Sequence, residues 1–254
     1  MNNETMLTEH RAPLIINAQD LEAPLVLWTD HLEELRYRLW WCVGTLLACS
    51  SLALLWSKRL VAWLARPVGH LVFVEVHEAL LVHVKVAVAV GCLFVAPVVA
   101  YHIWQFVGAG LHPRERRIAR QLIPVSVALF AGGVVFGYAV MIPQITRVLL
   151  SFGSPVVQPM ISANAYLSFV LWIVMAMGLA CELPLIMWGL VHLGIVERTL
   201  WRRARPVAIL IIFAVAAVVT PGPDVLSQCL VAIPMVILYE ISARVTSLGS
   251  VRES

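Results

Sequence analysis

The run A-Y-L-S-F-V-L-W-I-V-M-A-M-G-L-A-C-E-L-P-L-I-M-W-G-L-V-H-L-G-I-V, residues 165–196, decides what kind of molecule this is. It holds one acid, Glu182, and no Lys or Arg. As a helix it would be about 48 Å long at 1.5 Å per residue, whereas a ~30 Å hydrocarbon core needs only ~20 residues. A membrane helix of this length must tilt, kink or protrude, and Pro184 supplies a kink point.

Upstream lie three more apolar runs, at about 39–56, 86–106 and 121–143. Trp40, Trp41 and Trp56 flank the first, and Tyr101 and Trp104 sit near the end of the second, as interfacial anchors do. Downstream, runs at 206–219 and 225–239 are separated only by Thr220-Pro221-Gly222-Pro223-Asp224. Each would make a helix of only about 21–23 Å. They read either as a re-entrant hairpin or as two short antiparallel spans in a thinned bilayer, and we prefer the second. The expectation is an all-α integral membrane protein with six transmembrane helices, the fifth and sixth short.

Composition agrees. Of 254 residues, 61% are hydrophobic and 13% charged, and the mean hydropathy is +0.87. Soluble domains carry about 25% charged residues. This excludes a water-soluble enzyme, a disordered chain and a nucleic-acid binder. The five cysteines all fall in apolar runs at no metal-site or disulfide spacing, so no cofactor or metal is expected. Lys and Arg number 13 in the N-terminal segment, second loop, fourth loop and tail, against four in the other loops. The positive-inside rule then puts both termini in the cytoplasm, N-in and C-in. No internal repeat is present, which weighs against a transporter of duplicated halves.

Several polar residues stand out. Residues 29–39 read as a short amphipathic helix leading into the first span, with Leu32, Leu35 and Leu39 on one face. Asp30 and Glu33 have the form of a capping box, while Glu34 is free for an i,i+4 pair with Arg38 or for another role. His112 to Arg117 reads as a basic cytoplasmic loop around Glu115. The deepest acid is Glu182, and an intramembrane acid is a functional candidate with a partner inside the protein. Its plainer role is a hydrogen bond to a neighbouring helix. Glu78 and Lys85 share a helix face seven residues apart, with Lys85 snorkelling to the interface. His77 and His83 lack the spacing of a zinc helix. Asp224 would cap the last helix, and Ser227 and Gln228 should face protein or water.

Taken in order, these motifs resemble the TatC family, the polytopic subunit of the twin-arginine (Sec-independent) protein translocase. The matching pieces are H-L-E-E-L-R-Y-R-L at 31–39, E-A-L at 78–80 with Lys85, W-Q-F at 104–106 and L-H-P-R-E-R-R at 111–117. Further along come Y-L-S-F at 166–169, E-L-P at 182–184, T-P-G-P-D-V-L-S-Q at 220–228, A-I-P-M at 232–235 and Tyr239-Glu240. They cover about 28–244, leaving 1–27 as a polar extension and 245–254 as a short cytoplasmic tail. The segment from Pro67 to Glu78 differs, being shorter and more apolar than is usual in the family, and Leu80 stands where Phe is common.

The resemblance implies a non-enzymatic receptor for folded proteins whose signal peptides carry paired arginines. It would assemble with TatA-like and TatB-like single-span partners, self-associate in the bilayer, and use the proton-motive force in a prokaryotic cytoplasmic (inner) membrane. By the same resemblance Glu34 and Glu115 look like the acids that read the arginine pair, with Arg36 and Arg117 in the same motifs. Glu182 looks like the acid that meets a partner helix, beside Ser227 and Gln228. Pro67, Glu78, Lys85, Asp224 and Glu240 would be structural or interface residues. The competing reading is a small-solute or ion transporter with Glu182 as proton relay, which would call for further polar groups at the midplane.

Overall fold

The computed structural model describes residues 18–109, 113–152, 160–192, 194–220 and 225–248. By compactness the chain forms two units, residues 1–41 and 42–254.

The first helix, α1, runs Ala18–Leu55. Residues 29–39 are therefore not a separate amphipathic helix, and Asp30 lies inside α1 where it cannot be its N-cap. From residue 25 to 55 the sequence has no proline and one glycine, Gly44, so nothing interrupts the backbone ladder. A short helix, α2 (Ser57–Leu64), follows. The last carbonyls of a helix lack intrahelical partners, and two distant hydroxyls serve them: Tyr138 donates to Trp63 O at 2.8 Å and Tyr166 to Leu64 O at 3.4 Å. The Trp63 and Tyr138 rings stack at 4.0 Å.

Next come α3 (Glu78–Ala109) and α4 (Pro113–Phe136). The predicted basic loop is thus largely helical, because Pro113 occupies the first helical position, where its missing N–H costs nothing. A π-helical turn, Gly137–Met141, joins α4 to α5 (Ile142–Ser151). Pro143 cannot donate to the ladder, and Ile142 N–H reaches back five residues to Gly137 O. The third apolar segment extends through Ser151 and so outruns the expected end at 143.

The long run is α6 (Ala163–His192), with Pro184 inside it. After it come α7 (Arg198–Arg203), the short α8 (Arg205–Val219) and α9 (Val225–Leu248). Five helices among the described residues are long and apolar enough to cross a membrane, and α8 is a sixth, shorter apolar helix. The fifth span is short, as the sequence implies. The sixth is short only in its apolar run: α9 continues past Tyr239 to 24 residues. Its polar continuation is satisfied internally, with Glu240 Oε2 3.0 Å from Arg205 Nη2, Ser242 Oγ donating to Leu238 O and Thr246 Oγ1 to Ser242 O.

Helix α6 is the hub and packs on α3, α4, α8 and α9. Its Val170, Ile173 and Met177 are wholly buried. Against α4 the backbones come close. A Cβ on Gly133 would lie 2.5 Å from Met177 O, and one on Gly137 would meet the Met177 side chain at 3.1 Å. This is a G-x-x-x-G crossing, the small-residue device that lets membrane helices pack without a hydrophobic drive between them.

Candidate functional site

Glu182 lies 19 residues into α6 and ten from its end, about 15 Å from the His192 end along the axis. Ser126 of α4 faces it and donates its hydroxyl to the carboxylate, 2.9 Å from Oε1 and 3.0 Å from Oε2. Ser126 is buried, whereas Glu182 is half-buried. The two line a cavity of about 430 Å³ whose other walls are apolar, among them Pro97 and Val99 of α3, Phe130 of α4 and Ile186 of α6. One hydroxyl cannot saturate a carboxylate that offers about four acceptor positions. The site therefore pairs a fixed donor with an acid that can accept from an outside group. Among the described residues it carries one ionisable side chain and no set of convergent polar groups. Among the described residues no cluster of three or more His, Cys, Asp or Glu could hold a metal ion.

Glu78 is placed quite differently. It opens α3 and accepts from Val74 N–H at 2.6 Å and Glu75 N–H at 3.3 Å on its own side. It also accepts from Ser162 Oγ at 2.7 Å and Asn164 N–H at 2.6 Å at the start of α6. An isolated bridge between Val72 and Ser162 runs alongside. Lys85 does not simply snorkel: its Nζ donates to Asn164 Oδ1 at 2.5 Å and to Ser168 Oγ at 3.2 Å. Both residues of this pair thus converge on the first turns of α6, a contact across about 80 positions that no local pattern reveals.

Of the expected signal-peptide residues, Glu34 and Arg36 lie in α1, and Glu115 and Arg117 in the first turns of α4. The Arg36 side chain is exposed, while the side chains of Glu34, Glu115 and Arg117 lie outside the described residues. Ser126 is 11 positions along α4 from Glu115, about 16 Å in rise, so the Glu182 cavity is well separated from that end of the helix. Ser227 is completely buried. Gln228 is half-buried and donates from Nε2 to Phe213 O at 2.9 Å, tying α9 to α8. Pro67 follows α2 in the turn where Val68 N–H and Gly69 N–H both reach Ala65 O. Glu240 is the structural partner of Arg205, and Asp224 lies outside the described residues. All five cysteines are free. Two features escaped the sequence reading: Ser126, whose signal was only a hydroxyl inside an apolar run, and the Gly133/Gly137 spacing, which was there to be read.

Fold and site together define a polytopic helical membrane protein with an acid held open inside its spans. The chain belongs to the TatC family: the family model described as Sec-independent protein translocase protein (TatC) matches residues 30–234. A TatC protein of Carboxydothermus hydrogenoformans is 37% identical over 225 residues, covering 87% of this chain and 92% of that protein. One of Koribacter versatilis is 33% identical, covering 86% and 84%. A crystal structure of the twin-arginine translocase receptor TatC superposes with a TM-score of 0.80 at 33% identity, covering 87% of this chain and 99% of the other.

Proposed function

We propose that this chain is the receptor subunit of a twin-arginine translocase, a non-enzymatic component that binds twin-arginine signal peptides of folded proteins and assembles with TatA-like and TatB-like single-span subunits. The TatC-family match, covering most of the chain, carries this reading. In it Glu34 and Glu115 take the arginine pair. A guanidinium presents a planar fork that a carboxylate can meet with two hydrogen bonds, and a lysine ammonium does not. Arg36 and Arg117 flank them in the same motifs.

Glu182 takes a separate role as the acceptor for a polar residue of a partner helix. Its single donor among the described residues and its opening into an apolar cavity support this. Gln228 adds a polar group near the α8/α9 pair, while the fully buried Ser227 would act through packing. Both termini lie in the cytoplasm, the membrane is the inner membrane of a prokaryote, and residues 28–244 form the membrane domain.

Photo-crosslinking to a precursor with an Arg-Arg signal peptide tests the receptor role. Replacing Glu34 or Glu115 by Gln should cut precursor crosslinking about tenfold, the equivalent of one charge-assisted hydrogen bond, with protein level unchanged. Glu33→Gln should leave it intact. Undiminished crosslinking in both acid variants would overturn the assignment. For orientation, a cysteine in 152–162 should label with an impermeant reagent from outside and one in 114–118 should not. The opposite pattern would reverse the topology.

A further inference from the structure

A second, larger concavity of about 850 Å³ lies between α3, α6 and α8, apart from the Ser126–Glu182 pair. On α3 it descends from Lys85 through Ala89 to Cys92, and on α6 from Ser168 through Trp172 to Leu179. Val218 down to Ile211 of α8 closes the third side. From Ser168 to Leu179 the rise is about 16 Å, close to half of a ~30 Å hydrocarbon core. The groove is therefore as deep as one leaflet, not as the whole membrane.

Its walls are almost wholly apolar, and its one cation sits at one end. Among the described residues Lys85 donates to the neutral groups Asn164 Oδ1 and Ser168 Oγ and forms no ion pair. Asn164 is the second residue of α6, so the ammonium stands at the helix boundary, at the positive end of the α6 dipole. Glu78, which shares Asn164 with Lys85, is already engaged by four donors.

We propose that this groove binds an acyl chain of an anionic phospholipid whose phosphate rests on the Lys85 ammonium. The stem of Lys85 lines the apolar wall while its head stays at headgroup level, as amphipathic side chains do. Its third N–H is available to a phosphate oxygen, and a lysine serves phosphate well as a point charge. A partner helix fits less well. A spanning helix would have to run about twice the depth of the groove.

The test is native mass spectrometry of the purified full chain equilibrated with equimolar phosphatidylglycerol and phosphatidylcholine of matched chains. Wild-type protein should retain phosphatidylglycerol about fivefold over phosphatidylcholine, the preference expected of one cation near the surface. Lys85→Gln should abolish the preference, and Lys85→Arg should keep it. Ala214→Phe, at an exposed position on the α8 wall, should lower retention of both lipids. Equal retention by wild type, a preference that survives Lys85→Gln, or undiminished binding in Ala214→Phe would each overturn the proposal. So would retention of a single-span protein at this groove in place of lipid.

Discussion

Glu78 and Glu182 are both acids on long apolar helices of one bundle, yet their surroundings are opposite. Glu78 stands at the start of α3 and accepts from four protein donors that belong to two distant segments. Glu182 sits inside α6, accepts among the described residues from the Ser126 hydroxyl alone, and borders a cavity. A carboxylate whose acceptor capacity is filled by its own chain is an architectural joint. One left with spare capacity in a low-dielectric setting is costly to the monomer and attractive to a donor from outside. The contrast separates an acid whose acceptor positions are taken up by its own chain from one that borders a cavity with acceptor positions to spare.

The largest effect should come from Glu78→Ala. It orphans two backbone N–H groups in the 72–78 connection and one at the start of α6, so thermal unfolding in detergent should show a marked fall in stability, with Glu78→Gln in between. A Glu78→Ala protein as stable as Glu182→Ala would break the comparison. Gly133→Leu comes next. Its side chain would collide with the α6 backbone at Met177, and overpacking of this kind costs about 1–3 kcal/mol. Because it pushes α4 from α6, it should also loosen Ser126 from Glu182, while the carboxylate, and with it partner crosslinking, stays in place.

Glu182→Ala should leave unfolding nearly unchanged while weakening crosslinks to single-span partners and lowering export. The lost interhelical hydrogen bond is worth about 0.6 kcal/mol, rising to about 1.7 at most. Gln, which still accepts, should be milder. Unchanged partner contacts in both would return Glu182 to a structural role beside Ser126. Ser126→Ala should have the smallest effect, about 1 kcal/mol of stability or less, with partner crosslinking retained, since the carboxylate remains. If Ser126→Ala abolished partner contact instead, the serine would be orienting the acid.

The six apolar runs were legible because lipid demands them: a backbone crossing hydrocarbon must be helical and its side chains apolar. Glu182 stood out for the same reason, as an acid where acids are expensive. Less legible was where each helix stops. α9 outlasts its uninterrupted apolar run because Glu240, Ser242 and Thr246 find partners within the protein. Residues 29–39 looked like a separate helix because a charged stretch resembles a boundary, although no residue there breaks the ladder.

The order of the spans, the short fifth helix, the exceptional acid and the family motifs were thus determined by the sequence alone, through the fixed cost of polar groups in a bilayer. Tertiary structure alone decided which polar groups meet. Glu78 and Lys85 find the start of α6 some 80 positions away, and Ser126 finds Glu182 across 56. Such contacts depend on how helices cross, and the crossing of α4 on α6 depends on two glycines that let their backbones touch. The G-x-x-x-G spacing marks a close crossing but not the helix it meets, because in a membrane every helix is apolar all round and the pattern no longer says which face turns inward.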